Sequence, residues 1–114
     1  MIHVAAAILK NERGEILICQ RKGGGSCAYL WEFPGGKQEP HESLEECLVR
    51  ECKEELGVEI AVKEKFAETT FQYAEAAMAF TFFYGEIIHG TPRMGVHQDI
   101  RWVAPNKLKN FTFC

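Results

Sequence analysis

Glu51, Glu54 and Glu55 stand at relative positions 0, +3 and +4 in this chain. On a helix those spacings bring three carboxylates to one face. Like charges so placed repel one another and weaken an isolated helix. Clustered oxygen anions of this kind suit a hard divalent cation such as magnesium. The surrounding stretch is just as specific in its residue types. It runs Gly36, five residues, Glu42, seven residues, Arg50-Glu51-Cys52, one residue, Glu54-Glu55, one residue, Gly57-Val58. Three glutamates alone are more often a solvated helix face. Their setting decides which reading applies.

The helix that must carry them is well signalled. Ser43 can cap it, and Glu46 three residues later completes a capping box. No Gly or Pro interrupts residues 44–56, and Gly57 then supplies a left-handed C-terminal position. Leu48, Cys52 and Leu56 form an apolar stripe beside the carboxylate face, together with Val49. Strands are expected elsewhere, at residues 2–9, 15–20, 58–73, 77–88 and 100–103. The two long ones read as a hairpin turning at Ala74-Glu75-Ala76. A glycine-rich loop, Gly23-Gly24-Gly25-Ser26, follows Arg21, and Ala104-Pro105-Asn106 can open a short helical turn. Strands with one or two helices indicate an α/β or α+β fold.

Composition narrows the function classes. A length of 114 residues gives one domain spanning 1–114 with one ordinary core. The chain is 46% hydrophobic and 25% charged, typical of a soluble globular protein. Its net charge of −3 leaves no broad cationic surface to grip a nucleic-acid polymer. No apolar run is long enough to span a bilayer, and no signal peptide is evident, so a cytoplasmic protein without a membrane partner is expected. The five cysteines form no CxxC pair, and reduced thiols are the simplest expectation. Cys47 and Cys52 read as packing residues, as do Trp31, Trp102 and most of Phe80-Thr81-Phe82-Phe83-Tyr84. His41 and His97 read as exposed or capping residues, because no second His or Cys stands at metal-ligand spacing.

The array from Gly36 to Val58 resembles the Nudix box, G-x5-E-x7-R-E-U-x-E-E-x-G-U, where U is a bulky aliphatic residue. Every fixed position matches except the first U, which is Cys52. The flanks, Leu30-Trp31-Glu32-Phe33-Pro34-Gly35-Gly36-Lys37 and Arg101-Trp102-Val103, are similar to the MutT branch, whose best-known members hydrolyse 8-oxo-dGTP. The resemblance runs to about Leu108. It implies an α/β/α sandwich around a mixed sheet. In that branch a further helix normally follows the point where Phe111-Thr112-Phe113-Cys114 closes this sequence, so a domain truncated at its C-terminus is expected. A sheet face left open in that way is a surface for dimerisation or poor solubility, and a monomer or a homodimer is expected.

The resemblance also implies roles. Glu51, Glu54 and Glu55, with the Gly36 carbonyl, would hold Mg2+ or Mn2+. Glu51, Glu54, Glu42 and Arg50 make up the catalytic set, with Glu42 as helper or secondary base and Arg50 orienting the glutamates. Arg21, Lys37 and Phe33 make up the substrate-binding set. The expected reaction is hydrolysis of a nucleoside triphosphate, such as 8-oxo-dGTP, to nucleoside monophosphate and pyrophosphate. Other nucleoside diphosphate derivatives remain open as substrates, among them CTP, methylated dCTP, dinucleoside polyphosphates and nucleotide sugars. A non-catalytic nucleotide-binding module is the reading from another class. One position departs from the branch. Six residues before Trp102, where a glutamate is usual, this chain has Val96. His97 and Asp99 are the neighbours able to compensate.

Overall fold

A computed structural model describes residues 1–114. Seven strands, one α-helix and one 3-10 helix follow in the order β1 (Ile2–Leu9), β2 (Ile16–Gln20), β3 (Trp31–Glu32), β4 (Gly35–Lys37), α1 (Leu44–Leu56), β5 (Glu59–Gln72), β6 (Ala77–His89), β7 (Asp99–Val103) and the 3-10 turn Pro105–Asn110. They build two sheets, ordered β4-β1-β6-β5 and β3-β2-β7. The first is mixed, because β1 runs parallel to β6 and antiparallel to β4. The second is antiparallel throughout. This is an α+β architecture with a mixed sheet, as expected. Its one α-helix supplies one helical layer of the anticipated sandwich.

Alternation along the strands splits the core in two. In β1 and β2, Ala5, Ala7, Leu9, Leu17 and Cys19 face one cluster, built with Cys47, Leu48, Cys52 and Leu56 of α1. Ile8, Ile16 and Ile18 point the other way, to Trp31 and Val103. Leu108, Phe111 and Phe113 pack against that second cluster. Small alanines at Ala5, Ala6 and Ala7 leave room for close packing, and β4 pairs there, Ala5 opposite Gly36. The box glycine is thereby fixed beside the helix.

The helix ends follow their signals. The Ser43 hydroxyl accepts the Glu46 amide and the Glu46 carboxylate accepts the Ser43 amide, completing the capping box. Gly57 closes the helix at φ 71°. The buried arc matches the expected stripe at Leu48, Cys52 and Leu56 and departs from it at Val49. With about 100° per residue, Cys47 and Leu48 bracket Glu51 and Glu55, and both are fully buried. Val49 lies beyond this arc and is 39% exposed. Glu51 and Glu55 therefore sit on the inward side of α1, and only Glu54 stands well out in solvent.

Two further expectations are corrected. Cys27 and Cys114 are joined in a disulfide, while Cys19, Cys47 and Cys52 are free and buried. The chain end pairs with β3 through Trp31 N–H to the Thr112 carbonyl and Cys114 N–H to the Trp31 carbonyl. That pairing carries Cys114 up to the glycine-rich loop. His97 is buried at 5% exposure, not surface-lying. The Gln98 amide donates to the Gln20 carbonyl, and this draws the segment ahead of β7 against the end of β2. No helix is long and apolar enough to cross a membrane.

Candidate active site

One guanidinium organises the acidic helix face. Arg50 donates through Nε and Nη2 to the two oxygens of Glu42, at 3.0 and 2.8 Å. Its Nη1 reaches Glu51 at 2.8 Å and Glu54 at 3.3 Å, and Glu39 lies 3.5 Å away. Nη2 also donates to the Lys37 carbonyl at 3.2 Å. A planar fork suits this work, since its donors splay in fixed directions. The Arg50 hydrogen bonds, with a further one from the Glu39 amide, hold the Glu42 carboxyl down to about 2. So strong an acid is a weak proton acceptor.

Glu51 and Glu55 are in the opposite condition. Burial raises the Glu51 carboxyl, with Arg50 pulling it down and Glu54 pushing it up. Burial, then the like charge of Glu51, raises Glu55 to about 7, against the pull of His97 and the Gly35 amide. One oxygen of Glu55, Oε1, is buried and has no hydrogen-bond partner. A carboxylate oxygen in that state costs free energy until a donor or cation meets it. Gly36 lies alongside, and a β-carbon at that position would collide with the Glu51 carboxylate. The glycine thus keeps backbone and carboxylate in contact distance. All donors here are oxygens, the chemistry a hard divalent cation takes. The orphaned Glu55 oxygen fits the same conclusion, although no three of the side chains close into a finished metal cage.

Across from this face lies a polar cleft of about 280 Å³, lined by Arg21, Lys22, Glu32, Glu55, Val96 and His97. Arg21 Nη1 donates to Glu32 Oε1 at 3.0 Å, and Arg21 Nε to the Ser26 carbonyl at 3.2 Å. His97 Nε2 lies 3.1 Å from Glu32 Oε2. Burial would raise the Glu32 carboxyl, but the hydrogen bonds from His97 and Arg21 outweigh it, and the net shift is downward. Val96, in the position where the branch carries glutamate, is 53% exposed at the rim and offers no polar atom from its side chain.

Of the residues singled out by the sequence, Glu42, Arg50, Glu51 and Glu54 form one hydrogen-bonded group beside Gly36 and Lys37. Glu55 joins them to the cleft that holds Arg21. Lys37 is exposed on β4. Phe33 is elsewhere. It lies in an apolar hollow with its ring 6.2 Å from Phe82 and 5.2 Å from Phe113. Glu32 is the cleft residue that sequence reasoning missed, while His97 enters that reasoning only as a neighbour able to compensate for Val96. The one available sign was an acidic residue lodged between Trp31 and Phe33 in an otherwise apolar run.

The chain has relatives among known proteins. The NUDIX domain family model matches residues 1–113. The chain is 39% identical over 111 residues to an Escherichia coli protein named CTP pyrophosphohydrolase, covering 97% of this chain and 82% of that one. It is 35% identical over 108 residues to the 8-oxo-dGTP diphosphatase of Haemophilus influenzae, covering 95% and 79%. Among solved structures, the E. coli ORF135 protein superposes with a TM-score of 0.88 at 36% identity, covering 100% of this chain and 81% of that one. The MutT protein of Methanosarcina mazei superposes with a TM-score of 0.89 at 29% identity, covering 99% and 84%.

Proposed function

The chain belongs to the Nudix family of hydrolases, enzymes that use divalent metal ions on nucleotide substrates, and on that premise we propose that it is a nucleoside triphosphate pyrophosphohydrolase releasing nucleoside monophosphate and pyrophosphate. The observation that carries the reading is the buried, unpartnered Glu55 oxygen at the wall shared by the acidic helix face and the basic cleft. Glu51, Glu54 and Glu55, with the Gly36 carbonyl, would hold the cation, Mg2+ first and Mn2+ second. When bound, it would neutralise phosphate charge and acidify the attacking water. Water adds to phosphorus, the bridging P–O bond breaks, and pyrophosphate leaves with the electron pair.

The chain's own residues supply the rest. Glu51 or Glu54 accepts the proton from water. Glu42 acts through Arg50, because its carboxyl, held well below the usual carboxylate range, is a poor base and a good anchor. Arg50 orients Glu51 and Glu54 through its Nη1 hydrogen bonds. Arg21 and Lys37 bind phosphate oxygens.

The base follows the relatives. An oxidised purine such as 8-oxo-dGTP is our first substrate reading, in line with the Haemophilus relative. CTP is the second, favoured by the 39% identity to a protein named for it. A panel of 8-oxo-dGTP, CTP, methylated dCTP, a dinucleoside polyphosphate and a nucleotide sugar, assayed with magnesium, tests both. Pyrophosphate and monophosphate from a triphosphate are expected. Turnover of CTP well above 8-oxo-dGTP selects the second reading. No pyrophosphate from any triphosphate, with magnesium or manganese, refutes both.

A further inference from the structure

We propose that His97 and Glu32 form a positioning unit for Arg21, fixing its guanidinium toward the cleft so that nucleotide binding depends on a histidine that never touches nucleotide. The inference rests on the reading of Arg21 as a substrate-binding residue. Three separate segments meet in this unit: Arg21 just after β2, Glu32 on β3, and His97 ahead of β7. Each oxygen of Glu32 has its own partner, Oε1 taking Arg21 Nη1 at 3.0 Å and Oε2 facing His97 Nε2 at 3.1 Å. An ionised carboxylate only accepts, so Nε2 carries the hydrogen between them. His97 Nδ1 is left buried without a partner. Nothing but Glu32 therefore holds the ring by a hydrogen bond, and the ring's position is set by that bond and by burial, its side chain being 3% exposed.

Arg21 would be loose without this anchor. It begins a loop with three consecutive glycines, Gly23-Gly24-Gly25, and its side chain is 39% exposed. Its Nε bond to the Ser26 carbonyl ties it only to that same loop. The bond to Glu32 ties it to the sheet. Of the five N–H donors a guanidinium carries, Nε and one of Nη1 are used, and the others remain free for phosphate oxygens. Ordering such a side chain in advance removes an entropy cost from binding. A carboxylate in this cleft would also repel a polyphosphate if left bare. Bonded on both oxygens, Glu32 presents its charge to Arg21 and His97 instead. If His97 is lost, Glu32 keeps one partner, and Arg21 gains freedom to swing away. The effect should fall on substrate binding more than on the chemical step, since no atom of the unit belongs to the acidic group around Arg50.

The test is a double-mutant cycle read in KM and kcat with the best triphosphate of the panel. We expect His97→Ala to raise KM about tenfold with kcat within about threefold of the wild type. His97→Gln, which can offer an N–H to Glu32, should restore most of the loss. In an Arg21→Ala background, which itself raises KM, His97→Ala should add nothing. Folding is checked by thermal melting, and His97→Leu, which fills the buried position without an N–H, stands in if the alanine variant does not fold. A second readout needs no turnover: in nitrogen-15 spectra of the wild type, His97 should show Nε2 protonated, and the Arg21 Nε–H signal should shift in His97→Leu and stay near its wild-type position in His97→Gln. Additive losses with Arg21→Ala overturn the positioning unit and leave Arg21 as a substrate residue. A fall in kcat at constant KM overturns it as well. Unchanged KM in Arg21→Ala overturns the Arg21 reading and the inference together.

Discussion

The two walls of the cleft carry opposite charge balances. On α1 one guanidinium serves four carboxylates, Glu39, Glu42, Glu51 and Glu54, and Glu55 beside them has a buried oxygen with no partner. On the facing wall one carboxylate, Glu32, lies between Arg21 and His97. The first wall is short of positive charge. The second is already satisfied. Where a protein leaves carboxylates buried and under-neutralised, the missing charge belongs to what it binds. Where every oxygen has its donor, the group positions something else.

The largest break in that comparison comes from neutralising the first wall. Glu54→Gln should lower kcat by about 10²- to 10⁴-fold, the scale of a lost proton acceptor or ligand, with little change in melting temperature because Glu54 is 57% exposed. Steady-state kinetics beside a thermal melt checks both halves. Unchanged rates would remove Glu54 from the ligand set.

Next in size is the staple over the second wall. The Cys27–Cys114 disulfide ties the chain end to the loop carrying Arg21 and Ser26. Cys114→Ser should destabilise the protein by about 2–4 kcal/mol, seen as an earlier denaturant midpoint. Reductant should lower the wild type to the same level and leave the variant unmoved.

The smallest effect has the opposite sign and is the most telling. Glu55 is raised to about 7 in the folded protein, against an unfolded value near 4.3. Between those pH values the folded state holds more protons, so the metal-free protein loses stability as pH rises through the window. Glu55→Gln should therefore raise the stability of the metal-free protein at pH 8 by on the order of 1 kcal/mol. Near pH 4 the gain should vanish. A stability loss at pH 8 would show that the buried oxygen has a partner after all.

The same contrast explains what the sequence revealed. The first wall is local. Capping by Ser43 and Glu46, the left-handed Gly57 and the spacing of Glu51, Glu54 and Glu55 all lie within one helix, and periodicity exposes them. Even there one edge of the stripe is misplaced, because Val49, expected to share the buried arc, is 39% exposed. Helix pattern alone does not say which neighbour approaches from which side. The second wall is not local. Glu32 and His97 are 65 residues apart, and Cys27 and Cys114 are 87 apart. Such pairs exist only once the sheet has brought β2, β3 and β7 together. His97 read as a surface residue because a lone histidine gives no sign of the carboxylate that will meet it. The long β5–β6 hairpin was legible because its turn and its apolar run are both contiguous.

The central claim is that α1 and Gly36 bind a divalent cation at the boundary of the cleft. Titrating manganese into nitrogen-15-labelled protein tests it directly, because the paramagnetic ion broadens nearby amide signals. The account predicts saturable loss of the Gly35, Gly36, Glu51 and Glu55 signals at one equivalent per site, reversed by excess magnesium and absent in the Glu55→Gln variant. Broadening spread evenly over the exposed acidic residues, with Gly36 and Glu51 still sharp, would contradict it.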